Sequence, residues 1–112
     1  MKKRSVLSLL ILVSFALPVS AQNVDLDPEA AAGKLIYDAV THRVGCVRCH
    51  APDGTAQAEG KTYAAERSIQ GKTAQEIRIS IMATPMMWNV KLDDEELEQV
   101  AAYLRHLQNS SD

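Results

Sequence analysis

The chain has 112 residues, of which 46% are hydrophobic and 23% are charged, and its formal net charge is −2. This length predicts one domain. An acidic chain of this kind lacks the basic surface of a general nucleic-acid binder, so we exclude that class of function.

Residues 1–21 have the layout of a secretory signal peptide. Basic residues at 2–4 precede an apolar run over 6–17, Pro18 ends the run, and small residues lead to a cleavage site after Ala21. The run has about 12 residues, fewer than the roughly 20 needed to span a bilayer, so an uncleaved membrane anchor is the less favoured alternative. We therefore predict export to the periplasm.

Residues 22–112 form the predicted mature domain. The first 21 residues carry three basic and no acidic side chains, so the net charge of the remaining 91 residues falls to −5. This charge predicts docking partners that are basic or apolar around the contact. A domain of this size buries only about two-thirds of its surface, and a large apolar cofactor would stabilise its core. The aromatic residues of the mature domain are Tyr37, Tyr63, Trp88 and Tyr103.

The first predicted helix runs from about Pro28 to Thr41. Asp27 is a suitable N-cap, and proline suits the first helical position. A loop is predicted over 42–63, with a turn at Pro52-Asp53-Gly54, and a short helical stretch over 63–68. The apolar residues of the first helix are expected to include Ala31, Ala32, Leu35 and Ala39, with Ile36 and Val40 nearby.

Two further helices are predicted in the second half of the chain. Thr73 and Glu76 form a capping box that starts a helix ending at about Met82 or Ala83, because Pro85 disfavours helix just before it. A loop over 84–91 follows, and a second capping box at Asp93 and Glu96 starts the last helix, which ends near residues 108–109. With no strand pattern, the fold class is all-α, with about three to four helices. The last helix has an apolar stripe of Leu97, Val100, Ala101, Leu104 and Leu107.

The most specific motif is Cys46-Val47-Arg48-Cys49-His50. Cys-x-x-Cys-His is the pattern of c-type haem attachment. Two thiols at this spacing reach the same porphyrin edge and form thioethers with its two vinyl groups, and the next residue places an imidazole under the iron. The motif predicts one covalent haem c, attached through Cys46 and Cys49, with His50 as an axial iron ligand.

Three other interpretations of the two cysteines are weaker. A thioredoxin-like redox motif needs a βαβ setting, and no strand pattern is present. A zinc site needs further ligands at suitable spacing, and only His42 and His106 are available as additional histidines. A disulfide between Cys46 and Cys49 would close a very small loop, which constrains the unfolded chain little.

On these residues the chain resembles the class I, monohaem cytochromes c of the small bacterial periplasmic type. Gly33 and Tyr37 resemble the family's Gly-x-x-x-aromatic pattern, Tyr103-Leu104 resembles its C-terminal helix signature, and Asp53-Gly54 also matches. The resemblance implies a cytochrome c fold, in which the first and last helices cross around one covalently bound haem. The segment from Tyr37 to Cys46 is several residues longer than is usual in the family.

The resemblance also implies a methionine as the second axial ligand, supplied by the loop before the last helix. Met82, Met86 and Met87 are in range, but Met82 is expected in the core. Pro85-Met86-Met87-Trp88-Asn89 resembles the family's Pro-Met-x-x-Asn loop, so Met86 is the predicted iron ligand and Met87 the alternative. Either methionine could instead fill core space. A thioether ligand raises the potential relative to two histidines.

Three other residues have weaker predicted roles at this site. Trp88 is expected to contact the haem, at a face, an edge or a propionate, with plain core packing as the alternative. Arg48 is expected to point to solvent. His42 and His106 are the least favoured alternatives for the second axial ligand, and His106 is better explained as a solvated residue near a helix end.

The predicted function is one-electron transfer between periplasmic or membrane-bound redox partners. With both axial positions filled, the iron has no open site, so the chain is predicted to be an electron carrier and not an enzyme. One alternative is a dedicated haem subunit of a dehydrogenase complex that oxidises an alcohol or a sulfur compound. Another is a gas-binding haem sensor. We expect a monomer or a subunit of a redox complex, with membrane contact only through partners.

Overall fold

The fold is built from four helices, seen in a computed structural model that describes residues 26–39, 45–65 and 67–111. The predicted signal peptide and the segment 40–44 lie outside the described residues. None of the described helices is long and apolar enough to cross a membrane. The helices are α1 (Pro28–Asp38), α2 (Cys46–His50), α3 (Ala74–Ala83) and α4 (Asp94–Ser110), with a two-residue hairpin of β1 (Gln57–Ala58) and β2 (Lys61–Thr62) and a 3₁₀ turn at Pro85–Met87. The predicted all-α class is confirmed.

Helix α1 begins as predicted but ends earlier. The Asp27 carboxylate accepts a hydrogen bond of 2.8 Å from the Ala30 backbone N–H, and this bond caps the helix. The helix ends at Asp38 and Ala39 is already extended, so the predicted end at Thr41 is wrong. The next two residues are the β-branched Val40 and Thr41, which are poor helix formers.

The buried face of α1 also differs from the prediction. Ala30, Gly33 and Tyr37 are buried, whereas Leu35 is 76% exposed. The buried positions follow a spacing of three and four residues, which is one narrow stripe of a helix. A stripe centred on glycine lets another helix come close, and Leu35 lies outside that contact.

Helices α3 and α4 confirm both predicted capping boxes. The Thr73 and Asp93 side chains accept from the N–H groups of Glu76 and Glu96, whose carboxylates accept from the N–H groups of the two capping residues. The predicted stripe of α4 forms the core, except that Leu107 is only partly buried. The buried residues of α4 are Leu97, Val100, Ala101, Ala102, Tyr103 and Leu104.

The first and last helices cross at Gly33, as the resemblance implied. A Cβ atom added to Gly33 would lie 1.9 Å from the backbone oxygen of Gln99 in α4, so only glycine allows this approach. Tyr37 and Tyr103 pack at the same crossing. This contact forms one wall of a cavity that Tyr37 lines.

The segment between α1 and α3 contains α2 and the β1–β2 hairpin, so the prediction of a loop over 42–63 is wrong at those residues. Several backbone groups of this segment bond to distant parts of the chain. The predicted turn at 52–54 is present, with Gly54 at a φ of 73°. The predicted helical stretch over 63–68 is wrong for its described residues, which form no helix. The physical reason is that the Tyr63 and Ala65 N–H groups donate to carbonyls of Ala56 (2.9 Å) and Cys49 (2.8 Å).

Candidate haem site

A cavity of about 640 Å³ lies between the helices and the loops that precede α3 and α4. Both cysteines, His50, Met86 and Met87 line it, together with Tyr37 from the helix crossing. Its volume falls in the range of about 300–1,000 Å³ that is typical of cofactor sites. The cavity is otherwise largely apolar, and its aliphatic lining residues include Ile69, Ile77, Ile81, Val90, Leu92, Val100 and Leu104.

Helix α2 brings the predicted attachment residues together. It is five residues long and contains Cys46, Cys49 and His50. In a helix, side chains three apart lie on one face, so both thiols reach the cavity. The thiols are free and are not joined in a disulfide.

The backbone at the end of α2 is held by contacts with other parts of the chain. The carbonyl of Cys49 accepts from the Ala65 N–H, and that of His50 accepts from the Ala56 N–H at 3.2 Å. The carbonyl of Ala51 accepts from the Tyr37 hydroxyl at 2.6 Å. Three consecutive carbonyls at the haem motif are therefore anchored.

Burial shifts the pKa values of two residues of the motif, Cys46 and His50. It raises the pKa of the Cys46 thiol and lowers the pKa of the His50 imidazole. A lowered pKa favours the neutral ring, and a neutral imidazole is the form that binds a metal. The Nδ1 atom of His50 is buried, with no hydrogen-bond partner among the described residues.

The loop before α4 places two methionines at the cavity. Met86 and Met87 both line it, from the 3₁₀ turn. Met86 is 80% exposed, and Met87 is the more buried of the two. The assignment of Met86 as the iron ligand stays a prediction, with Met87 as its alternative.

Two expectations about neighbouring side chains are changed by the structure. Met82 is 81% exposed, so its prediction as a core residue is wrong, because the end of α3 lies at the surface. Trp88 is 68% exposed, so plain core packing is wrong as well. Trp88 is not among the described residues that line the cavity, and its contact with haem stays a prediction.

Two cations at the cavity were missed by sequence reasoning. Arg67 and Lys72 line it, whereas no carboxylate does so among the described residues. Neither cation forms an ion pair within the described part of the chain. No local motif marks these residues, because they reach the cavity through the path of the loop before α3.

The remaining predicted residues lie away from the cavity or outside the described chain. Arg48 is exposed, as expected from its place within α2. His106 lies in α4 and is not among the cavity's described lining residues. His42 lies outside the described residues.

The residues at the cavity fit a haem c. Haem is a large, mainly apolar ring with two carboxylates, an iron atom and, before attachment, two vinyl groups. The cavity offers aliphatic walls, two thiols, an imidazole nitrogen, thioether sulfurs and the two cations Arg67 and Lys72. Every chemical feature of the group therefore has a matching side chain.

An all-α fold whose first and last helices cross beside a cavity lined by a Cys-x-x-Cys-His motif is the arrangement of a haem-binding electron-transfer protein. The family model described as Cytochrome c matches residues 30–108, a span that includes both crossing helices, the motif and the methionine loop. The chain belongs to the cytochrome c family, whose members bind haem c covalently. Comparisons with curated proteins and with solved structures gave no significant match.

Proposed function

We propose that this cytochrome c transfers single electrons between redox proteins through a haem attached to Cys46 and Cys49, with His50 and Met86 as axial ligands. The observation that carries the proposal is that one cavity is lined by both thiols, His50 and the methionine loop. When bound, the haem supplies an iron that alternates between two oxidation states. The residues of the chain bind it and set its potential.

The lining residues also control the surroundings of the iron. Aliphatic side chains such as Ile77, Val100 and Leu104 keep water from the ring. A low dielectric disfavours the extra positive charge of oxidised iron. The thioether of Met86 acts in the same direction, because it favours the reduced state. These residues support a potential above that of a site with two histidines.

Arg67 and Lys72 are the residues that would hold the two haem carboxylates. Each is a cation at the cavity, and guanidinium and ammonium groups both pair with carboxylates. A positive side chain there also favours the reduced iron, since reduction removes one positive charge.

An exposed apolar surface beside the methionine loop supports a protein partner. It consists of Ile79, Met82 and Trp88, which are exposed and lie on either side of Met86 in the sequence. Exposed apolar residues of this kind mark interaction sites, and Met86 itself lines the cavity. We propose that a redox protein with an apolar contact surface docks here, which brings its own redox centre close to the haem.

The same surface is compatible with a second function, that of a permanent haem subunit of a dehydrogenase complex. A permanent subunit buries such a surface, whereas a diffusible carrier contacts it only briefly. Affinity purification from the native cell separates the two. Stable recovery of one catalytic subunit supports the subunit function, and recovery of the haem protein alone supports the carrier.

Covalent attachment is the direct test of the proposed site. The protein is produced with the export and haem-attachment machinery and then denatured in acid acetone. We expect the haem to stay with the wild-type chain and to be extracted from a chain carrying Cys46→Ser and Cys49→Ser. Haem that is extracted from the wild-type chain would contradict the proposal.

Export is a separate part of the proposal. It rests on the signal-like sequence of residues 1–21, and the predicted mature chain begins at Gln22. Mass spectrometry of the purified haem protein should give a chain of residues 22–112 plus one haem. An intact Met1 or a different first residue would reject the proposed cleavage site.

A further inference from the structure

Tyr37 connects α1 to the residue that directly follows the predicted haem ligand. Its hydroxyl donates a hydrogen bond of 2.6 Å to the carbonyl of Ala51. Tyr37 and Ala51 are both completely buried, so water does not compete for this bond. The same carbonyl also accepts from the Gly54 N–H at 3.2 Å. The tyrosine bond is the shorter of the two and reaches across 14 residues of sequence.

Ala51 has an unusual backbone conformation. Its φ is 64° and its ψ is 163°, a region that is essentially restricted to glycine. A residue with a Cβ stays there only when its surroundings hold it in place. The Tyr37 hydroxyl is the side-chain group that supplies such a contact.

The ring of His50 has little support of its own. Metal-binding histidines almost always donate their second ring N–H to an oxygen, which fixes the orientation of the ring. The Nδ1 atom of His50 is buried without such a partner among the described residues. The orientation of the ring therefore depends on the backbone on either side of His50.

We propose that Tyr37 is a positioning residue that fixes the orientation of the His50 imidazole through its hydrogen bond to Ala51. The hydroxyl holds the strained Ala51 peptide, and this peptide sets the direction in which the His50 side chain leaves the backbone. The inference rests on the proposed function, because it takes His50 as a ligand of the haem iron.

Tyr37→Phe removes the hydroxyl and keeps the ring, and Tyr103→Phe is the matched control. Tyr103 is the other member of the aromatic pair and is buried, but its hydroxyl makes no hydrogen bond found within the described residues. Both variants are prepared as holoproteins, and the proton NMR spectrum of the oxidised form is recorded. We expect the strongly shifted His50 ring resonances to move in Tyr37→Phe and to keep their wild-type positions in Tyr103→Phe. The reduction potential should also shift in Tyr37→Phe and not in the control.

The inference is overturned if the His50 resonances and the reduction potential of Tyr37→Phe match those of the wild type. It is also overturned if Tyr37→Phe and Tyr103→Phe change them equally. Acid acetone extraction of the same samples keeps the proposed function separate, because retained haem confirms attachment whatever the NMR result. A second measurement covers failure of Tyr37→Phe to fold. In the wild-type holoprotein, the Tyr37 hydroxyl proton should exchange slowly and show a nuclear Overhauser effect to Ala51. A rapidly exchanging hydroxyl would overturn the inference.

Discussion

Tyr37 and Tyr103 meet edge to face where α1 crosses α4, with ring centroids 5.4 Å apart and planes inclined at 64°. Aromatic pairs in this arrangement contribute about 0.5–1.5 kcal/mol beyond the area that they bury. Because Tyr37 also lines the haem cavity, the pair connects the helix crossing to the cofactor site. A change that separates the two helices should therefore affect both stability and the haem.

Gly33→Ala tests the helix crossing. The added Cβ would lie 1.9 Å from the Gln99 oxygen, so the two helices must move apart. Overpacking costs about 1–3 kcal/mol, and the upper end applies because the clashing atoms belong to the backbone of α4. The higher helix propensity of alanine offsets about 1 kcal/mol of this cost. We therefore expect the free energy of unfolding to fall by about 2 kcal/mol, measured by denaturant titration of the holoprotein. Leu35→Ala on the exposed face of α1 is the control, with a change of about 0.5 kcal/mol, and equal losses in the two variants would contradict the close contact.

The second axial ligand is tested by removing each candidate sulfur. Met86→Ala should abolish the sulfur-to-iron absorption band of the oxidised protein and lower the reduction potential, because a thioether favours reduced iron. Met82→Ala is the control, since Met82 is exposed and is not among the described residues lining the cavity. If the band survives in Met86→Ala and disappears in Met87→Ala, Met87 is the ligand.

The cations at the cavity should raise the reduction potential. Arg67→Gln and Lys72→Gln each remove a positive charge near the haem carboxylates, which makes the reduced state less favourable. Screening by solvent limits the effect of each substitution. We expect the reduction potential to fall by an amount on the order of tens of millivolts, or roughly 1 kcal/mol. Voltammetry of the holoproteins measures this change. Lys61→Gln in the hairpin is the matched control, and an equal lowering there would mean that the effect is not local to the cavity.

Alkaline pH should destabilise the protein through Tyr37. Burial raises the pKa of its hydroxyl well above the ordinary value of 10.0. Below a pH of about 10, the hydroxyl is protonated in both the folded and the unfolded chain, so the free energy of unfolding does not depend on this group. At higher pH the unfolded chain loses the proton first, so the free energy of unfolding falls by up to about 1.4 kcal/mol per pH unit.

The Tyr37→Phe variant isolates this effect from other alkaline transitions. Denaturant unfolding is followed for both holoproteins from about pH 9 to pH 11. The wild-type free energy should fall more steeply than that of the variant, whatever the difference between them at neutral pH. Parallel curves would show that the hydroxyl is not protected in the folded state.

Local signals in the sequence predicted helices α1, α3 and α4, but not α2, which lies in the predicted loop over 42–63. Capping boxes at Thr73 and Asp93 and the spacing of Cys46, Cys49 and His50 each lie within a few residues, so their geometry follows from one turn of helix. These short patterns account for the correct starts of α1, α3 and α4. The motif is also a local pattern, and the fold places its residues at the same cavity as the methionine loop.

Features that depend on tertiary contacts were not predictable in this way. The exposure of Leu35 follows from which face of α1 meets α4. The backbone of Ala65 bonds to Cys49 instead of forming a helix, and the Tyr37 hydroxyl bonds to a residue 14 positions away. Arg67 and Lys72 reach the cavity only because of that loop path. Contacts between residues this far apart produce no periodic pattern in the sequence.

The helix crossing also makes the haem pocket depend on residues that lie far apart in the sequence. The wall supplied by Val100 and Leu104 belongs to α4, whereas Cys46 and Cys49 belong to α2. Contacts over such a separation form late in folding, because closing the intervening loop costs entropy. We therefore expect both thiols to stay accessible until α4 docks on α1.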